Sequence, residues 1–265
     1  MLIQITNTCH MGCGHCLQCS TPRAQHMDRQ TWLKALSIAK LSRVNMVMIS
    51  GGEPTDHPDW FRMVEEACKR FHIVTIATNG LWLLDKVKMN YVEGLLKKCR
   101  NLYVQVTSVE GIYPRYEAVK AAYEKAIEER KLPRTVLHDG EIHIKALGRA
   151  AKNEPYVTQA KSSLGTTSCF LSAVMASQLP YLQAVHELEM LGKPCHPLID
   201  WKGGMHWSES CKCPAFASVY DTFLDIQRKA HAWRPCRKCA DWHKVLDSED
   251  ESYAKARELL LIHNS

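Results

Sequence analysis

The 265-residue sequence has no run of eighteen or more apolar residues, and its N-terminus lacks a basic segment followed by an apolar stretch. A membrane-spanning helix and an export signal are therefore not expected, and the chain reads as cytoplasmic. It also lacks a long internal repeat and a block of like charge. The formal net charge of +6, from 34 basic against 28 acidic residues, is scattered through helical stretches such as residues 86–98 and 228–238. A dispersed excess of this kind describes solvated faces and gives no support for nucleic-acid binding. Apolar residues at 46% and charged residues at 23% exclude a disordered chain. The length suits one large core, or a core with a small appended domain.

Cysteine is what the sequence has in excess. Most of the twelve cysteines fall within residues 9–19 and 195–239. In a chain without an export signal such clusters point to metal sites rather than disulfides, because cytosolic thiols are kept reduced. Cys68 and Cys99 stand apart in helical patterns and read as small buried hydrophobes.

Over residues 1–150, short β-like runs at 2–6, 46–50, 73–77, 102–107 and 141–147 alternate with amphipathic stretches at 28–41, 58–71, 90–100 and 115–131. This alternation predicts βαβ units and a parallel sheet, either open or a partial barrel, with ligands at the C-terminal strand ends. The chemical residues fall at those ends: Cys9 after the first run, Gly51-Gly52-Glu53-Pro54 after the second, Thr78-Asn79-Gly80 after the third, Ser108 after the fourth and Gly148-Arg149 after the fifth. Residues 153–167 are rich in Pro, Ser, Gly and Thr and read as a linker. The expected organisation is a core at 1–155, a cysteine-rich unit at 165–245 and a C-terminal helix at 246–265.

Cys9-x3-Cys13-x2-Cys16 brings three thiolates into one short loop, and Gly12 and Gly14 allow the backbone to fold closely around a cluster. Three protein ligands on a four-iron cube leave one iron open to an incoming molecule. Cys19 extends the spacing to Cys13-x2-Cys16-x2-Cys19, so the spacing alone also accommodates a closed electron-transfer cluster or a zinc knuckle.

Together the cysteine loop and the strand-end motifs, all within about the first 150 residues, resemble the radical SAM superfamily. The resemblance implies a partial (β/α)6-type barrel. Its Cys9, Cys13 and Cys16 would hold a [4Fe-4S] cluster that binds and cleaves S-adenosylmethionine. Gly51, Gly52, Glu53 and Pro54 match the motif that receives the methionyl ammonium. His15, before the last cysteine, would lie near adenine, where an aromatic residue is the usual choice. Thr78, Asn79 and Ser108 match positions that bond the ribose or the carboxylate, and Arg149 would pair with the carboxylate or with an anionic substrate. Taken singly, each of these residues is also a common turn or surface residue.

In the C-terminal part, Cys169, Cys195, Cys211, Cys213, Cys236 and Cys239 surround a hairpin-like segment with Gly203-Gly204. Their order resembles the twitch and SPASM extensions of the same superfamily. That resemblance implies a second, auxiliary [4Fe-4S] cluster on Cys195, Cys211 or Cys213, Cys236 and Cys239, with Cys169 as a substitute ligand. Structural zinc on the same thiolates is the alternative, since thiolate pairs do not distinguish the metals. Trp201, Trp207, Trp233 and Trp242 are expected to give this small unit apolar mass.

The implied chemistry is a one-electron cleavage that starts radical oxidation or crosslinking of a peptide, with the auxiliary cluster as electron acceptor and flavodoxin or ferredoxin as reductant. Since the sequence starts almost at the first strand, a separate leader-binding partner is expected. Other readings are a twitch-type small-molecule dehydrogenase, a glycyl-radical activating enzyme and a non-catalytic iron-sulfur carrier.

Overall fold

The computed structural model describes residues 1–140, 148–153, 175, 179–190, 197–207 and 214–233. Runs rich in β-branched and aromatic residues form the strands, as their fit to a pleated surface requires. These are β1 (Leu2–Gln4), β2 (Met46–Ser50), β3 (Ile73–Thr78), β4 (Leu102–Thr107) and β5 (Thr135–His138). They are parallel and ordered β5-β4-β3-β2-β1. The expected strand at 141–147 lies outside the described residues. The fifth described strand, β5, is four residues long and follows Arg134, whose backbone is left-handed; it is too short to stand out as a run.

Along each strand, one face is buried under helices by Val47 and Ile49, Val74 and Ile76, and Val104 and Val106. The opposite face carries Met48, Thr75 and Tyr103, which sit side by side in the register. The helices are α1 (Arg29–Leu41), α2 (Trp60–Cys68), α3 (Lys86–Lys98) and α4 (Tyr116–Glu128). In α1 the buried residues Trp32, Ala35, Leu36 and Ala39 recur at helical spacing, and in α2 Trp60, Met63, Val64 and Ala67 repeat the pattern. Asp28 caps α1 by accepting the Thr31 N–H at 2.8 Å, and Asp85 caps α3 by accepting from Val87 and Lys88.

The C-terminal hairpin extends the same sheet. Strand β6 (Leu198–Ile199) pairs in parallel with β1, and β7 (Gly204–His206) and β8 (Ala217–Ser218) continue antiparallel. Among the described residues the sheet is an open row of eight strands, not closed into a barrel. Trp207 stacks on Phe216 at 4.8 Å, and both belong to the hydrophobic core that contains Trp32 and Ile3. The expected boundary between residues 155 and 165 lies outside the described residues, but 197–207 and 214–233 pack into the core.

Two helices complete this side, α5 (Tyr181–Met190) and α6 (Phe223–Ala232). Tyr181, fully buried, shares a 2.8 Å hydroxyl bond with Ser42 at the end of α1, and the Tyr220 hydroxyl lies 2.7 Å from Thr31 at its start. Glu189 accepts the N–H groups of Asn45 and Met46 at the entry to β2. No helix among the described residues is long and apolar enough to cross a membrane.

Removing the Tyr181 hydroxyl strands Ser42 in the interior. Tyr181→Phe should lower unfolding stability by about 1–2 kcal/mol in denaturant melts, and Tyr220→Phe, at an exposed residue, by less. Equal and negligible losses would mean that α5 is not docked through this bond.

Candidate active site

The loop after β1 is held to the body of the protein before the first cysteine is reached. Thr6 pairs with His26 and Thr8 with Thr21 in isolated bridges, and the Cys9 N–H donates to Thr21 O at 3.0 Å. The loop after β2 then approaches it at backbone contact. Gly52 N donates to Thr6 O and Glu53 N to Thr8 O, both at 2.8 Å. A Cβ on Gly51 would stand 2.4 Å from Thr6 O, and one on Gly52 2.4 Å from Thr8 O. Two glycines are needed there because no side chain fits between the chains.

Glu53 locks this junction from inside. It is fully buried, and its carboxylate accepts bonds from Thr55 N and Oγ1, from Thr78 Oγ1 at both oxygens, and from Asn79 N at 2.8 Å. Burial raises its pKa, and these donors oppose the rise. The loops after β2 and β3 are thereby joined through one side chain. Asn79 reaches onward, donating from Nδ2 to the Cys9 sulfur at 3.4 Å.

Cys9, Cys13 and Cys16 border one cavity of about 330 Å³, together with His15, Gly51, Gly52, Thr78, Asn79 and Arg149. Of the remaining expected residues, Glu53, Pro54 and Ser108 do not line it. Glu53 and Ser108 are fully buried, and the Ser108 hydroxyl makes no hydrogen bond among the described residues. Thr107, one residue earlier, lines the cavity instead, as does Tyr113, whose ring meets His15 edge-on at 4.8 Å. The alternation of β4 carried the signal for Thr107, since it shares a face with Gln105. Tyr113 lies in an irregular loop and carried none. Cys19 is exposed with a left-handed backbone and is not part of the cavity wall.

The three thiols differ electrostatically. Burial pushes Cys9 up to about 11, with the carboxylates of Glu53 and Asp56 adding to the rise. Burial and then the neighbouring Cys9 and Cys16 push Cys13 up to about 12. For Cys16 burial acts in the same direction, but the Ser20 N–H and the Arg149 guanidinium outweigh it and hold the thiol below its usual value. Arg149 is placed by its backbone: its N–H donates to Cys16 O at 2.9 Å, and a Cβ on the preceding Gly148 would stand 2.4 Å from that same oxygen. Its buried Nε makes no hydrogen bond among the described residues. Burial first, and then the Arg149 guanidinium, lower the pKa of His15.

Among the described residues no three His, Cys, Asp or Glu side chains converge closely enough to hold a single ion. Three thiols spread around a cavity, with a cation beside one of them, fit a larger polynuclear group with net negative charge. Cys169, Cys195, Cys211, Cys213, Cys236 and Cys239 lie outside the described residues.

A family model for the radical SAM superfamily matches residues 3–143, and the chain belongs to that family. Membership implies a [4Fe-4S] cluster and S-adenosylmethionine as cofactors, and so an enzyme that uses S-adenosylmethionine. The chain is 28% identical over 149 residues to a PqqA peptide cyclase of Ruegeria pomeroyi, covering 51% of this chain and 38% of that one. It is 34% identical over 96 residues to a tungsten-containing aldehyde ferredoxin oxidoreductase cofactor-modifying protein of Pyrococcus furiosus, covering 35% and 27%. The chain thus spans well under half the length of these relatives. Among solved structures, BtrN in complex with AdoMet and 2-DOIA shares the fold, with a TM-score of 0.52, 13% identity, and coverage of 98% of this chain and 85% of that one.

Glu53 is the side chain whose loss should loosen the site most. Glu53→Ala should destabilise the apoprotein by about 2–4 kcal/mol in denaturant melts, because several donors lose a buried acceptor. Glu53→Gln, which keeps an acceptor oxygen, should lose less. A wild-type melt for Glu53→Ala would contradict the clasp.

Proposed function

We propose that this chain cleaves S-adenosylmethionine reductively at a [4Fe-4S] cluster held by Cys9, Cys13 and Cys16, and uses the radical to oxidise or crosslink a peptide. The observation that carries the reading is that these three cysteines, the Gly51-Gly52 backbone and Arg149 border one cavity at the strand ends. When bound, the cluster supplies one electron that splits the sulfonium into methionine and a 5'-deoxyadenosyl radical, which takes a hydrogen atom from substrate.

The protein's own groups bind and orient. Arg149, with its Nε–H directed into a buried environment, offers a donor for a carboxylate and a positive charge beside the cluster thiolate of Cys16. The Gly51-Gly52 main chain borders the cavity and would receive an ammonium group, whereas the Glu53 carboxylate is occupied in holding the loops. Asn79 and Thr107, which line the cavity, would bond ribose hydroxyls, whereas the Thr78 hydroxyl is taken up by Glu53 and Ser108 is fully buried. His15 and Tyr113 offer ring surfaces for adenine. Met11 and the Tyr113 ring pack against Cys9 and Cys13 and would help to keep water from a reactive radical.

A peptide substrate is supported by the relatives named PqqA peptide cyclase, found in more than one organism. Cys195, Cys211 or Cys213, Cys236 and Cys239 would hold the auxiliary cluster that accepts the electron left on the substrate. A flavodoxin or ferredoxin would supply the first electron, in the cytoplasm.

The test is anaerobic reconstitution of the full chain with iron and sulfide, then reduction with dithionite in the presence of S-adenosylmethionine. The reading predicts 5'-deoxyadenosine from the wild type. It predicts none from a Cys9→Ala, Cys13→Ala, Cys16→Ala triple variant that still retains the iron of one cluster. No 5'-deoxyadenosine from an iron-loaded wild type would overturn the catalytic reading, and zinc retained by the triple variant would overturn the auxiliary cluster.

A further inference from the structure

Behind the Glu53 clasp lies a second carboxylate that the reaction described above does not use. Asp56 ends the short turn Pro54–Asp56, where its N–H donates to Glu53 O at 2.9 Å. One of its oxygens lies 2.9 Å from Nδ1 of His10, the residue that follows Cys9. The other accepts from Lys88 Nζ, in the first turn of α3, at 2.6 Å. The Asp56 side chain is 8% exposed and Lys88 is 28% exposed, so this pair is shielded from water in a way ordinary surface pairs are not. His10 itself is largely exposed.

The cysteine loop is tied at Cys9 by its N–H to Thr21 O at 3.0 Å and by its sulfur to Asn79 Nδ2 at 3.4 Å, and His10 adds the tie to Asp56. Its internal bonds near Cys9 and Cys16 are long, with Met11 N to Cys9 Sγ at 3.5 Å and Cys16 N to Cys13 O at 3.4 Å. Because Asp56 bonds the residue next to Cys9, its charge lies close to the cluster position. Lys88 carries the opposite charge and pairs with the same carboxylate that bonds His10, so removing either partner leaves the other uncompensated.

We propose that Asp56 is a positioning residue for the first cluster: it anchors the cysteine loop through His10 and balances the Lys88 charge beside Cys9, and so governs both iron retention and reduction potential. This rests on the cluster reading given above and adds to it a residue outside the ligand set and outside the cavity wall. An uncompensated cation near a cluster favours the added electron, and an uncompensated anion opposes it.

Two measurements on the anaerobically reconstituted full chain test this. The first is the rate of iron release into a ferrous chelator, which should be about tenfold faster for Asp56→Ala than for wild type and should recover toward wild type in Asp56→Glu. The second is an EPR-monitored redox titration of the signal that responds to added S-adenosylmethionine. Asp56→Asn should move the midpoint to less negative potential, Lys88→Met to more negative potential, and the double variant back toward wild type. A residue that merely supports folding would not produce opposite shifts that cancel. Unchanged iron release and midpoints, or single variants that shift in the same direction, would overturn the inference while leaving the function intact. A wild type that takes up no cluster would overturn both.

Discussion

The site depends on how closely the loop after β1 and the loop after β2 can approach each other. Backbone hydrogen bonds from Gly52 and Glu53 to Thr6 and Thr8 form only because two consecutive residues lack a Cβ. That contact brings Glu53 to a fully buried position where Thr78 and Asn79 can reach it. Asn79 in turn touches the Cys9 sulfur. Three loops from three parallel strands are thus fixed against one another by a chain of short polar contacts. The cysteine loop is then free to stay irregular, which is what wrapping a cluster demands.

The cavity inherits its electrostatics from the same arrangement. Cys9 lies on the side shared with Glu53 and Asp56, where burial and negative charge oppose thiolate formation, and Cys13 is raised by burial and by its two neighbouring cysteines. Cys16 lies on the side of Arg149, where a cation favours it. An assembly that binds thiolates must therefore bring positive charge of its own to Cys9 and Cys13, as iron does.

Much of this was legible in the residues. The cysteine spacing, the glycine pair and Thr78-Asn79 could be placed at strand ends because the runs of Val, Ile and Thr before them are long and regular. Arg149 was expected at the site from its place after residues 141–147, which lie outside the described residues, and its closeness to Cys16 follows from a backbone contact that no pattern encodes. Ser108 was one residue off, because the two faces of β4 alternate and the inward position is Thr107. Glu53 was legible as important, but not as a clasp consumed by its own loops. The short strand β5 and the strand β6 gave too few residues for periodicity. Pairing of β6 with β1 joins residues almost two hundred positions apart, which local sequence does not reveal. The hairpin was expected as part of an appended unit, whereas its described residues share the main sheet and core.

The central claim is that three cysteines leave one iron of the first cluster open to the cofactor. Mössbauer spectroscopy of the reconstituted wild type, before and after S-adenosylmethionine is added, tests it most directly. The account predicts that one iron site changes its spectrum on addition while the others keep theirs. A spectrum that does not respond, as from a cluster closed by a fourth thiolate such as Cys19, would contradict it.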